Sequence, residues 1–108
     1  MALAITVCLS NVACALIAGG LAVPLVRRRV KMNGYYGVRF ARSFESDELW
    51  YRINEYGGRR LLLWSIPILA LGLVALFVSS EAWLVTLAFA PMLYIIPCIE
   101  SYVFARRL

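Results

Sequence analysis

The sequence predicts an all-α integral membrane fold. It would have three transmembrane helices, the N-terminus outside and the C-terminus inside, and a short amphipathic interfacial helix in the cytoplasmic loop. Three observations predict it. Hydrophobic residues make up 63% of the 108 residues and charged ones 16%, against about 45–50% and about 25% in soluble domains. A soluble fold of this size has too little interior to hide that much apolar surface. The apolar residues also gather into three runs, each long enough to cross about 30 Å of hydrocarbon. Finally, all eleven lysines and arginines fall in one loop and one tail, which a three-span chain places on a single side.

The first run covers residues 2–26 and holds only Thr6, Ser10 and Asn11 as polar side chains. A cleaved signal peptide would need a basic stretch ahead of it. Here Arg27, Arg28, Arg29 and Lys31 follow it, a stop-transfer arrangement, so an uncleaved span is expected. The second run is 61–78 and the third 82–104, and Ser79, Ser80 and Glu81 link them. So short a link makes the two helices antiparallel neighbours. Pro67, Pro91 and Pro97 lie inside these runs, where proline is tolerated although each can kink its helix. The chain thus reads as one membrane domain, residues 1–108, with a loop over 27–60.

Helices in lipid approach one another through small residues. At 100° per residue, Asn11, Cys14, Ala15, Ala18 and Ala22 share a narrow sector of the first span. Ser65, Gly72 and Ser79 recur in the second. Ala82, Thr86, Ala90, Pro97 and Ser101 share a face of the third. These stripes predict a compact three-helix bundle, and a homo-oligomer interface would use the same ones. Asn11 is expected to hydrogen-bond across the bundle to Thr86 or another helix.

Nine of the eleven basic residues lie between Arg27 and Arg60; the others are Arg106 and Arg107. Under the positive-inside rule the loop and the C-terminus are then cytoplasmic, in a multi-pass plasma-membrane protein, and a prokaryotic one is expected. A net charge of +5 would suggest nucleic acid in a soluble protein. Beside hydrophobic runs it suggests topology, with Arg27, Arg28, Arg29, Lys31, Arg59 and Arg60 meeting the phosphates of anionic lipids; nucleic acid is not expected as a partner. Cys8, Cys14 and Cys98 lack CxxC spacing and histidine is absent, so neither a metal site nor any cofactor is expected. Cys8 and Cys14 lie on different helix faces, which argues against a disulfide between them.

Within the loop, Asn33-Gly34 and Gly37 are turn chemistry. Ser46 is a good N-cap, with Asp47 and Glu48 in the first turn, where negative charge suits the helix dipole. Gly57 and Gly58 read as C-terminal stops. The helix expected between them, about 47–56, places Leu49, Trp50, Ile53 and Tyr56 on one side. Asp47, Tyr51, Asn54 and Glu55 lie mostly on the other. It would rest at head-group level with Trp50 as an anchor.

Asn33, Tyr36-Gly37-Val38-Arg39, Ser43, Asp47-Glu48, Trp50, Asn54 and Gly57-Gly58 together resemble the loop signature of the SdpI-like membrane proteins. Gly-x-Arg and Glu-x-Trp-x-x-x-Asn fall at the right separation between hydrophobic runs. Phe40-Ala41 stands where the family usually has Thr-Pro, and the chain resembles a minimal, signature-bearing half of a longer member. The resemblance implies immunity against a secreted, membrane-active peptide toxin and the holding of a transcriptional repressor at the membrane.

Arg39 would bind a head-group phosphate, pair with Asp47 or Glu48, or orient the loop. Asn54 would cap or bond a neighbouring loop residue. Glu100 lies within the third span, about 9 Å deeper than Arg106. It would serve a proton-coupled carrier or form an ion pair with Arg27, Arg28 or the tail. No nucleophile stands beside a base and no phosphate-binding glycine motif occurs, so no enzymatic activity is expected. Three functions remain open: an SdpI-like immunity or signalling protein, an accessory subunit of a larger membrane complex, and a small carrier using Glu100.

Overall fold

The structure, a computed structural model, describes residues 1–108 and contains helices and turns but no strand. Helix α1 is Ala2–Val26 and α2 is Asp47–Val74. Helix α3 is Glu81–Ala88 and α4 is Ile95–Arg107. A 3₁₀ turn at Ala75–Phe77 extends α2, and another at Ala90–Tyr94 joins α3 to α4. Three helical stretches, Ala2–Val26, Asp47–Phe77 and Glu81–Arg107, are long and apolar enough to cross a membrane. At most 33% of any of their apolar windows is buried in protein, an exposure that suits lipid and not water. The molecule is a rod of 50 × 23 × 19 Å.

Helix α1 stops by a Schellman motif. Arg28 turns left-handed at φ 55. Its N–H donates to Leu25 O at 3.2 Å, and the Arg29 N–H donates to Pro24 O at 3.0 Å. Glycine usually holds that position. Here Arg28 is tied down by its side chain, whose Nε donates to Glu55 across on α2 at 2.7 Å.

The expected short interfacial helix is not a separate element. Ser46 does cap its start, accepting from the Leu49 N–H at 3.1 Å. Gly57 and Gly58, however, stop nothing: they lie inside one continuous 28-residue helix. They are buried packing positions. A Cβ on Gly58 would meet Ala22 O of α1 at 3.0 Å, and one on Gly57 would meet Ser101 Oγ of α4 at 3.1 Å. At 1.5 Å per residue α2 is about 42 Å long, against about 30 Å of hydrocarbon. The helix outruns that thickness because its residues 47–60, about four turns, precede the apolar run at 61–78, as a post around which the loop folds.

The third stretch departs from its expected face because of Pro91. With no N–H, Pro91 cannot donate to Leu87 O four residues back. The backbone shifts to 3₁₀ winding there, and the inward face is reset. Ala82 and Thr86 are exposed, while Ala90, Pro97 and Ser101 are buried as expected. Ser79 lies beyond the end of α2 and is exposed too. The carbonyl freed by Pro91 is claimed by Asn11, whose Nδ2 donates to Leu87 O at 3.0 Å. Asn11 thus caps a backbone break and does not bond Thr86, whose hydroxyl donates to Ala82 O within its own helix. The end of the bundle distant from the loop is closed by Ala4, Val7, Ala75 and Leu84.

Candidate functional site: the signature loop and the cleft beneath it

The loop between α1 and α2 is built on its own hydrogen bonds. Asn33 forms an Asx turn: its Oδ1 accepts from the Tyr35 and Tyr36 N–H groups at 2.9 and 2.7 Å. Its Nδ2 donates to Lys31 O at 2.7 Å. Gly37 turns the chain at φ +118, a conformation side chains rarely adopt. Ser43 is buried in a 3₁₀ turn over Ala41–Phe44 and accepts from the Phe40 N–H at 3.3 Å.

Asn54 and Trp50 hold this loop to α2. The Asn54 Oδ1 accepts from the Val38 N–H at 2.6 Å, and its Nδ2 donates to Val38 O at 3.3 Å and to Trp50 O at 2.9 Å. One amide therefore pairs with both backbone groups of Val38, as a neighbouring β-strand would. Amphipathic spacing had placed Asn54 opposite Trp50; in the structure both are buried. Nor is Trp50 a lipid anchor. It is 0% exposed, donates Nε1–H to Val30 O at 2.8 Å, and packs against Phe44 with ring centroids 5.6 Å apart. It is the core of the cap.

Arg39 pairs with neither Asp47 nor Glu48. It donates to Gly34 O within the loop, and the residue is exposed. Asp47 and Glu48 stay exposed in the first turn of α2. Tyr36 donates its hydroxyl to Leu21 O on α1. Burial pushes this phenol up, so it remains a protonated donor at neutral pH.

Three of the six cations expected at lipid phosphates are already paired. Arg28 and Arg59 both hold Glu55, at 2.7 and 2.8 Å. Arg60 grips both oxygens of Glu100, with Nε to Oε1 at 3.1 Å. Trp64 adds Nε1–H to Glu100 Oε1 at 3.0 Å. Glu100 therefore pairs with Arg60 on the facing helix and not with Arg27, Arg28 or the tail. Arg27, Arg29 and Lys31 remain exposed and unpaired.

The Glu55 clasp gives a pH signature. The hydrogen bond from Arg28, with the charges of Arg28 and Arg59, holds the Glu55 carboxyl below the usual carboxylate range. A depressed folded-state pKa contributes stability above the unfolded value and loses it as pH falls through the folded one. Acidification through and below that range should cost the native chain more than a Glu55→Gln variant, measured by thermal unfolding of the two in detergent across a pH series. At neutral pH the variant should be weaker by less than about 1 kcal/mol, because the partners are solvent-screened.

Beneath the loop lies a cavity of about 410 Å³. Leu21 and Leu25 of α1 form one wall, Pro97 and Cys98 of α4 the other, Leu61 of α2 the back, and residues 36–40 the roof. Sequence reasoning missed this cleft, and with it Val30 and Val38, the backbone partners of Trp50 and Asn54. The signal for Val30 was an apolar residue standing alone between the charged Arg29 and Lys31; Val38 lies between Gly37 and Arg39.

The family model described as the SdpI/YfhL protein family matches residues 29–101, from the basic segment after α1 into α4. No curated protein and no solved structure matches the chain.

Proposed function

We propose, from the premise that the chain belongs to the SdpI/YfhL protein family, that this membrane protein acts by binding and not by chemistry. It gives immunity against a membrane-active peptide toxin, or signals its presence. The observation that carries the reading is where the signature residues go. Asn33, Trp50 and Asn54 direct polar groups to the loop's own backbone, and Ser43 does the same. The signature thus builds a fixed cap joining the helices, which supports a binding role.

In this reading the N-terminus is outside and the capped loop and C-terminus are cytoplasmic, in the plasma membrane of a prokaryote. All lysine and arginine then meets the cytoplasm. The unpaired Arg27, Arg29 and Lys31 contact anionic head groups, and the cap offers a surface to a cytoplasmic partner. Glu100 gives a carrier little to work with, because both its oxygens are held by Arg60.

The test is survival of cells challenged with membrane-active peptide toxins. Expression should protect, and Trp50→Ala, which removes the centre of the cap, should abolish protection. Absence of protection against every peptide tried, with co-purification at fixed stoichiometry with a larger complex, would replace this reading by that of an accessory subunit.

A further inference from the structure

We infer that the cleft under the signature loop is a site for one acyl chain of an anionic phospholipid, with the lipid phosphate held at Arg39. The inference needs only that the three helices lie in a bilayer; it does not depend on toxin immunity or on which side the loop faces.

The cleft has the depth a lipid needs. Its α1 wall runs from Ala18 to Leu25, about 10 Å of helix, and Arg27 begins immediately above. That is the level where acyl chains start beneath the head groups. Exposed Leu21 and Cys98 flank it, so it opens sideways, toward lipid. An apolar void of about 410 Å³ lies within the range of small-molecule pockets. Its lining is almost wholly apolar and offers water few partners. A helical peptide is about 10–12 Å across with its side chains, more than a void of about 410 Å³ takes in, whereas a single hydrocarbon chain fits it.

Charge selects the head group. No acidic residue lines the cleft. Arg39 stands at its edge, exposed and without a carboxylate partner; its one protein hydrogen bond goes to Gly34 O. That leaves the other guanidinium N–H groups for phosphate, a geometry arginine favours. Unpaired Arg27, Arg29 and Lys31 add positive potential at the same end of the rod.

The experiment is native mass spectrometry of the full chain released from mild detergent after incubation with equimolar phosphatidylglycerol and phosphatidylcholine. One phosphatidylglycerol per chain should be retained in preference to phosphatidylcholine. Arg39→Gln should reduce that preference about fivefold while a lipid is still bound. Cys98→Trp, made at an exposed rim position, should fill the opening and remove the retained lipid. Leu21→Trp does the same from the opposite wall, so a folding defect in either variant leaves the other to decide; circular dichroism identifies the folded ones. Retention unchanged in folded cleft variants would mean that lipid sits only on the outer surface, and would overturn the site. Equal retention of the two lipids, or a second copy of the chain bound in place of lipid, would overturn it as well.

Discussion

Gly37→Ala is expected to destabilise the protein by about 2–6 kcal/mol, the sum of a backbone cost of about 1–3 kcal/mol and an orphaned donor worth about 1–3 kcal/mol. The first arises because Gly37 sits at φ +118. The second arises because a Cβ there would come within 2.6 Å of Asn54 Oδ1 and 3.1 Å of the Trp50 ring. Neither neighbour has room to retreat. Trp50 is fully buried and tethered to Val30 O. Asn54 Oδ1 is the acceptor for the Val38 N–H, which loses its partner if the amide swings away. Thermal unfolding in detergent, followed by tryptophan fluorescence, measures the loss. Gly34→Ala is the control, since a Cβ there meets nothing within 4 Å. Equal, small shifts for the two variants would defeat this account of the cap.

The spans were legible in the sequence because lipid leaves few options: a long apolar run has to be a helix, and its bounds follow from charge. The bounds of the first run, 2–26, coincide with those of α1. The turn residues of the loop were legible for a similar local reason, since Asn33 and Gly37 act on backbone within three residues of themselves. What the sequence concealed depends on distant partners. Gly57-Gly58 has the composition of a helix stop, and it packs instead because Ala22 and Ser101 lie opposite, far away in the chain. Trp50 has the composition of an interfacial anchor, and it is buried because Val30 and Gly37 enclose it. Glu100 had several basic residues to choose from. Arg60, forty positions away, wins because the helices bring the two side chains face to face. The third span's inward face was lost at Pro91, since a uniform 100° step does not hold across a 3₁₀ segment.

The second large effect is expected at Gly58, where α1 and α2 meet. A Cβ there would lie 3.0 Å from Ala22 O and 3.2 Å from Leu25 Cβ. These are atoms of the α1 backbone and its first side-chain carbon, so α1 must move as a body. Gly57 is more forgiving, because its closest contacts are the side-chain atoms Val38 Cγ2 and Ser101 Oγ. Gly58→Ala recovers about 1 kcal/mol of helix propensity against an overpacking cost of about 1–3 kcal/mol. Gly58→Leu should exceed that range, and it should also separate Arg28 from Glu55, which face each other one turn away at 2.7 Å. A double-mutant cycle decides the matter. If the Gly58 approach is what sets the Arg28–Glu55 distance, Glu55→Gln costs stability in the native background and almost nothing in Gly58→Leu. The same cost in both backgrounds would mean that the ion pair survives a displaced α1, and that the glycine does not govern how these two helices dock.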